Sequence, residues 1–303
     1  MLLRFVCGVV TRSLFILISL IGMWRVIWVK NNKLYWLLTI LFLPLVVEMI
    51  LTLRRRKGKD CKWFSPAIFL FLVSIIPSIW ILELHHQQNK HTDIKCNRLN
   101  SPENIKELIN DWRTLNSTNE TAFAKIFQNV SSVCANDWIL ALHQALLVLV
   151  IVGKWLLPNE GGLTRDELSQ LLLIFVGTAA DILEFTSETL SDVKDKSPVL
   201  VYIILAIWTW SMLQFPHNLT VLNSNAEDYE TQPDSLLSRH RTDLWSVIEA
   251  LLIQDGPFLL VRMTVMIHFE IFHQMLVFFA IKNSLVVALN VYRLWVIWWD
   301  FRS

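Results

Sequence analysis

Charged side chains are scarce in this chain, because Asp, Glu, Lys and Arg together account for only 17% of its 303 residues. An ordinary soluble domain carries roughly a quarter of such residues. The charges also nearly cancel, and a net charge of +1 creates no global field that would recruit a polyanion. The composition therefore excludes soluble enzymes, disordered tails and nucleic-acid-binding proteins.

Catalytic and metal-binding motifs are also missing. The sequence contains no G-x-S-x-G elbow, no P-loop and no dinucleotide-binding fingerprint. His85, His86 and His91 lie close together beside Glu83, but their spacing matches no standard zinc motif. The sequence predicts neither an enzyme nor a bound cofactor or metal ion.

Apolar residues, by contrast, are abundant. They make up 54% of the chain. Because one bilayer-spanning helix needs about 20 largely apolar residues, this content is enough for about eight spans. The strand alternation of a closed barrel is absent. We therefore predict an all-α fold, a polytopic helical membrane protein in which residues 1–303 form a single membrane domain. The candidate spans run near residues 5–27, 34–53, 64–84, 138–157, 168–188, 198–215, 244–267 and 271–297.

The orientation in the bilayer follows from the basic residues. Loop 54–62 contains six of them, between Arg54 and Lys62, and such loops stay in the cytosol. Counting spans outward from this loop predicts that both termini are cytosolic. The same loop can attract anionic lipids of the inner leaflet.

The one long polar stretch, 85–137, is then an extracellular or luminal loop. Two short amphipathic helices are expected in it, near 101–112 and 123–130. Cys96 and Cys134 bracket it in the oxidising compartment, which predicts a disulfide bond between them. Its predicted glycosylation sites are Asn116, Asn119 and Asn129.

Charges inside the spans indicate where a site lies, since each is costly in hydrocarbon unless it is paired or hydrated. The seventh span contains Gln254-Asp255-Gly256-Pro257 near its middle, where proline removes a backbone donor and glycine relaxes the helix. We expect a kink or a break there. Broken helices at mid-depth often form transporter sites. The alternative is a proline kink whose aspartate only satisfies freed amides.

Lys282 of the eighth span is a candidate partner for Asp255. With a turn near 268–270, Asp255 lies about 18 Å deep and Lys282 about 17 Å, at 1.5 Å per residue. The matching depths predict an intramembrane Asp255–Lys282 pair. Arg262, nearer the outer surface, is expected to snorkel.

The fifth span carries Asp181 and Glu184 three residues apart on one helix face. Two carboxylates so placed can bind a cation or relay protons, and the alternative is that Lys or Arg of neighbouring helices neutralises them. Gly177 and Ala180 predict a surface on which another helix packs closely. The candidate intramembrane polar site therefore comprises Asp181, Glu184, Asp255 and Lys282.

Several long motifs are shared with a known family. They occupy residues 63–69, 155–158, 164–190, 207–216, 254–258 and 274–280. In these motifs the chain resembles the transmembrane protein 26 family of vertebrates, and it departs from that family in the length and sequence of loop 85–137. The resemblance implies a multi-pass membrane protein at the cell surface, and it implies no particular biochemical activity.

Three functions are considered, and the third, an intramembrane enzyme, is the least supported because no nucleophile–base pair is readable in the sequence. The first is a carrier or channel-like bundle for a small solute, an ion or a lipid moiety, with the buried charges lining a polar path. The second is a surface interaction protein, in which the glycosylated loop binds an extracellular partner or a second copy and the charges only fix helix register. The mid-depth break and the number of buried charges favour the first.

Glycosylation tests this topology. Replacing Asn116, Asn119 and Asn129 together by Gln should abolish the mass shift caused by glycosidase, because their loop is predicted to face the oxidising compartment. The control is Asn218, whose sequon lies on the predicted cytosolic side. Loss of the shift in an Asn218→Gln variant, measured by gel mobility, would contradict the eight-span count.

Overall fold

The computed structural model describes residues 2–56, 64–89, 106, 133–157, 165–194, 197–217 and 247–302. This part of the chain is helical apart from short turns and isolated β-bridges, such as the one between Phe64 and His217. Loop 85–137 falls largely outside it. The sequons, Cys96 and the two amphipathic helices predicted for that loop are therefore not described, and the disulfide to Cys134 stays a prediction.

Eight helices follow one another along the described residues. Seven are long and apolar enough to cross a membrane, and the sixth is a shorter apolar helix of 15 residues. The all-α polytopic fold is thus confirmed, with a span count close to the predicted eight. The helices are α1 (Leu2–Lys30), α2 (33–56), α3 (Pro66–Gln88), α4 (Ala135–Leu156), α5 (165–193), α6 (Pro198–Met212), α7 (Val247–Phe269) and α8 (Gln274–Arg302).

Prolines mark two of the helix starts. The sequence pairs Ser65-Pro66 and Ser197-Pro198 each predict a helix start, because proline's fixed φ suits the first helical turn. α3 and α6 do begin at Pro66 and Pro198. Neither preceding serine caps its helix with its side chain. Instead, the amide of Ser65 donates to the carbonyl of Pro216 at 2.8 Å, which ties the start of α3 to the end of α6.

The interior is closely packed and apolar. Phe15 of α1 stacks on Phe71 of α3 with ring centroids 4.4 Å apart. A Cβ on Gly153 of α4 would lie 2.6 Å from the Phe15 ring, so only glycine allows α4 this close to α1. Small residues at such crossings are typical of membrane helix packing. Outward-facing side chains are apolar too, with Leu173 at 74% exposure, as a bilayer environment requires.

Two helices contain a wide turn of π type. In α5 it covers Phe185–Thr189, and in α7 it covers Ala250–Asp255. The turn in α7 lies at the predicted break, but the helix continues through it. Gly256 donates its amide to the carbonyl of Leu251, five residues back. Because the wide turn contains one extra residue, the helix continues past Pro257 although proline has no amide to donate.

The wide turn in α7 requires glycine at position 256. A Cβ there would lie 2.3 Å from the carbonyl oxygen of Leu251, so Gly256→Ala must distort the turn. We expect a loss of at least about 1 kcal/mol, the size of an ordinary backbone defect, seen as a lower melting temperature in detergent. The control is Gly177→Ala, because no atom lies within 4 Å of a Cβ at Gly177. Equal losses in the two variants would contradict this account.

Candidate functional site: a charge cluster on α5, α7 and α8

Two ion pairs join α5 to the α7–α8 hairpin. Asp181 of α5 accepts a hydrogen bond from the ammonium of Lys282 on α8. Glu184, nearly one turn later on α5, accepts one from the guanidinium of Arg262 on α7. The alternative considered for the two α5 carboxylates, neutralisation by basic residues of neighbouring helices, is therefore what the structure shows.

The predicted Asp255–Lys282 pair is wrong, because the turn between the two helices lies further along the chain than expected. α7 continues to Phe269, and α8 begins at Gln274. From these ends, Lys282 lies about 12 Å deep and Asp255 about 21 Å, at 1.5 Å per residue. The membrane-spanning part of α5 is Leu168–Thr189. Asp181 lies about 12 Å from the Thr189 end of that part, level with Lys282.

Arg262 does not snorkel to the surface. Its side chain is 1% exposed, and it also donates to the carbonyl of Phe279 at 3.4 Å. The guanidinium carbon lies 5.7 Å from the ring centroid of Phe185 and 5.3 Å from that of Phe279. Cation–π contact and a carboxylate partner together offset the cost of burying this charge.

Asp255 is the third carboxylate of the cluster. It is the last residue of the wide turn in α7 and is 9% exposed. Within the described residues it has neither an ion pair nor a hydrogen bond to its side chain. It nevertheless interacts electrostatically with Asp181, Lys282 and Arg262, and therefore belongs to the same cluster.

The cluster thus contains one more acid than base. Asp181, Glu184 and Asp255 face Lys282 and Arg262, so the fully ionised cluster carries a net charge of −1. These acids do not form a metal-ligand set, since no group of three His, Cys, Asp or Glu residues in the described part of the chain could hold a metal ion. One monovalent cation or one proton would neutralise this net charge.

One side of the cluster is open. Glu184 is 14% exposed, whereas Asp181 and Lys282 are 33% and 30% exposed. A charged pair in the membrane is not left facing lipid, and it normally faces a water-filled cavity or another protein surface. The exposed face of α5 also includes Gly177 and Ala180. The prediction that these small residues seat a neighbouring helix is therefore wrong within the described residues.

The wide turns shape the surroundings of the charges. Phe185, in the turn of α5, stacks on Phe258, just after the turn of α7, with ring centroids 4.0 Å apart. The amide of Gln214, beyond α6, donates to Gln254 at 2.9 Å and so connects a third element to the turn that ends at Asp255. Wide turns of this type frequently occur at functional sites.

Sequence reasoning missed a further buried ion pair, between α1 and α2. Arg12 of α1 donates to both carboxylate oxygens of Glu48 on α2, each at 3.0 Å, and Thr52 donates to the same carboxylate at 2.8 Å. The signal was present in the sequence, since opposite charges on consecutive spans at similar depth can meet. Both carboxylate oxygens of Glu48 accept hydrogen bonds from residues of α1 and α2. The pair is therefore a structural link between these two helices.

These features define a class: a polytopic helical membrane protein with a charge cluster inside its helical bundle. A model of the transmembrane protein 26 family matches residues 2–293, and the chain belongs to that family. The resemblance seen in the sequence motifs is thereby confirmed. No solved structure matches the chain.

A double-mutant cycle tests the pairing in the cluster. Breaking one partner of a buried pair typically costs about 3–5 kcal/mol, and two residues in direct contact should show a coupling energy of about 0.5–3 kcal/mol. We expect such coupling between Asp181→Asn and Lys282→Met, measured by thermal unfolding in detergent. The matched cycle of Asp255→Asn with Lys282→Met should give a smaller value. A larger coupling in the second cycle would contradict the observed pairing.

Proposed function

We propose that this protein conducts or carries a small cation, protons included, across the membrane, and that Asp255 is its binding carboxylate. The observation that carries this proposal is the unpaired, nearly buried Asp255 beside two complete ion pairs. An ionised carboxylate in hydrocarbon is costly unless a cation or a proton neutralises it. The net charge of −1 on the cluster fits one such ligand.

The open side of the cluster supports a route for this ligand. Asp181 and Lys282 are each about one-third exposed, so water in a cavity beside α5 and α8 would hydrate them. A cation entering from this side would meet Asp181 first and Asp255 further inside. Asp181 and Glu184 position the ligand in this scheme, while Lys282 and Arg262 restrict the cluster to one net negative charge.

The wider setting is part of the same proposal. We place the protein in the plasma membrane with both termini in the cytosol and with anionic lipids near Arg54–Lys62. Loop 85–137 is then a glycosylated ectodomain closed by a Cys96–Cys134 disulfide. The transport requires no catalytic residues, and we assign no enzymatic activity.

Flux through purified protein in liposomes tests the proposal. With protons, ⁸⁶Rb⁺ and ²²Na⁺ as probes under an imposed potential, the wild-type protein should conduct at least one of the three. Asp255→Asn should lower that flux at least tenfold, because the neutral amide no longer attracts the cation. The control is Glu270→Gln, which neutralises an exposed carboxylate in the α7–α8 turn and should leave flux unchanged.

Two results would reject this function. One is the absence of flux for all three probes with folded wild-type protein, and the other is equal flux in the wild type and Asp255→Asn. The variant Gly177→Cys, one turn from Asp181, distinguishes transport from the competing function, a surface interaction protein. Labelling by a membrane-impermeant thiol reagent indicates a water-filled cavity. Protection together with cysteine cross-linking between two chains indicates an interaction surface for a second copy.

A further inference from the structure

The wide turn of α7 leaves one backbone carbonyl without a donor from its own helix. Gly256 donates its amide to the carbonyl of Leu251, five residues back. In the same pattern the next carbonyl, that of Leu252, would accept from residue 257. That residue is proline, which has no amide to donate. The backbone of α7 therefore cannot satisfy Leu252.

A donor from another helix takes this place. Leu252 belongs to the spanning segment Val247–Phe269, and its side chain is 64% exposed. Hydrocarbon supplies no water to replace a missing amide, so an unsatisfied carbonyl there needs a donor within the protein. The indole N–H of Trp210 on α6 donates to the carbonyl of Leu252 at 3.2 Å. Trp210 thus supplies the hydrogen bond that Pro257 cannot make.

A second side chain joins the same two elements. Gln214, beyond α6, donates to Gln254 at 2.9 Å and also to a carbonyl in the last turn of α6 at 2.8 Å. Its side-chain amide is therefore held at both hydrogens, and it connects Gln254 directly to the end of α6. The wide turn is held at Leu252 and at Gln254, and the next residue along the chain is Asp255.

We propose that Trp210 and Gln214 are positioning residues of the cation site, because they hold the wide turn of α7 and thereby fix Asp255. Neither side chain is a ligand in this scheme. The turn keeps its shape only while α6 stays against α7, since the donor that Pro257 lacks comes from α6. This inference rests on the cation site proposed above and adds that α6 sets the affinity of that site.

Chemical labelling tests the positioning without any transport. Dicyclohexylcarbodiimide is an apolar reagent that modifies protonated carboxyl groups inside membranes, and mass spectrometry gives its rate at Asp255. Trp210→Phe keeps an aromatic ring but removes the N–H, so Asp255 should leave its nearly buried position and react at least about threefold faster. Gln214→Leu should act in the same direction.

The control is Trp155→Phe at the end of α4. Trp155 is 63% exposed and Trp210 51%, and tryptophans at such positions commonly anchor a helix at the membrane surface. Within the described residues the indole of Trp155 donates no hydrogen bond, so its loss should leave the labelling rate of Asp255 unchanged. If Trp210→Phe reacts no faster than this control, Trp210 is only a surface anchor and the proposal fails.

A change at Pro257 tests the physical cause. In a Pro257→Ala background residue 257 has an amide that can donate to Leu252, so Trp210→Phe should no longer alter the labelling rate. A purely structural tryptophan would not show this dependence on residue 257. An effect of the same size in both backgrounds would overturn the proposal.

Flux in liposomes separates this inference from the proposed function. In Trp210→Phe the cation concentration that gives half-maximal flux should rise at least about threefold, whereas the maximal flux should change less, because the site is displaced but still present. An unchanged half-maximal concentration, with wild-type flux that depends on Asp255, would reject the positioning role and leave the cation site standing. Absence of wild-type flux together with the labelling differences above would reject the cation site but support the positioning of Asp255 by Trp210.

Discussion

The cost of placing charge in hydrocarbon governs the arrangement of the second half of this protein. A charged side chain at the centre of a spanning helix costs about 2.5–3.5 kcal/mol even on the most lenient scale. The charge cluster on α5, α7 and α8 contains five such side chains. Four of them meet as Asp181–Lys282 and Glu184–Arg262. Because α5 contributes both acids and the α7–α8 hairpin both bases, neither part satisfies its charges alone. The two ion pairs therefore hold these three helices in one register.

The wide turns in α5 and α7 adapt the helices to this register. Each turn adds a residue without ending its helix, and the stacked rings of Phe185 and Phe258 bring the two turns together. The turn in α7 also places Asp255 at its last position, where the backbone is constrained by the close approach of Gly256 to Leu251. The result is a carboxylate held near two ion pairs without a base of its own. That imbalance is the physical basis of the proposed cation site.

The first half of the chain shows a different solution to the same constraint. Arg12 donates to both carboxylate oxygens of Glu48, and Thr52 donates to the same carboxylate. All three residues belong to α1 and α2. Charge alone thus does not mark a functional site. An unpaired carboxylate beside two ion pairs is the more informative feature, and in the described part of the chain Asp255 is one.

Composition and hydrophobic length determined the fold class by themselves, because apolar runs of spanning length permit no other stable arrangement in a bilayer. The Ser-Pro pairs gave the starts of α3 and α6, and Gly256-Pro257 located the irregular turn of α7. The sequence also predicted the members of the polar site, because a charge inside a span is recognisable without a structure. They are Asp181, Glu184, Asp255 and Lys282. Only the tertiary structure decided the partners. An error of a few residues in the α7–α8 turn shifts calculated depths by several ångströms, enough to move Lys282 from Asp181 to Asp255. Which faces of α5, α7 and α8 adjoin depends on packing between helices distant in sequence, and no local pattern records it.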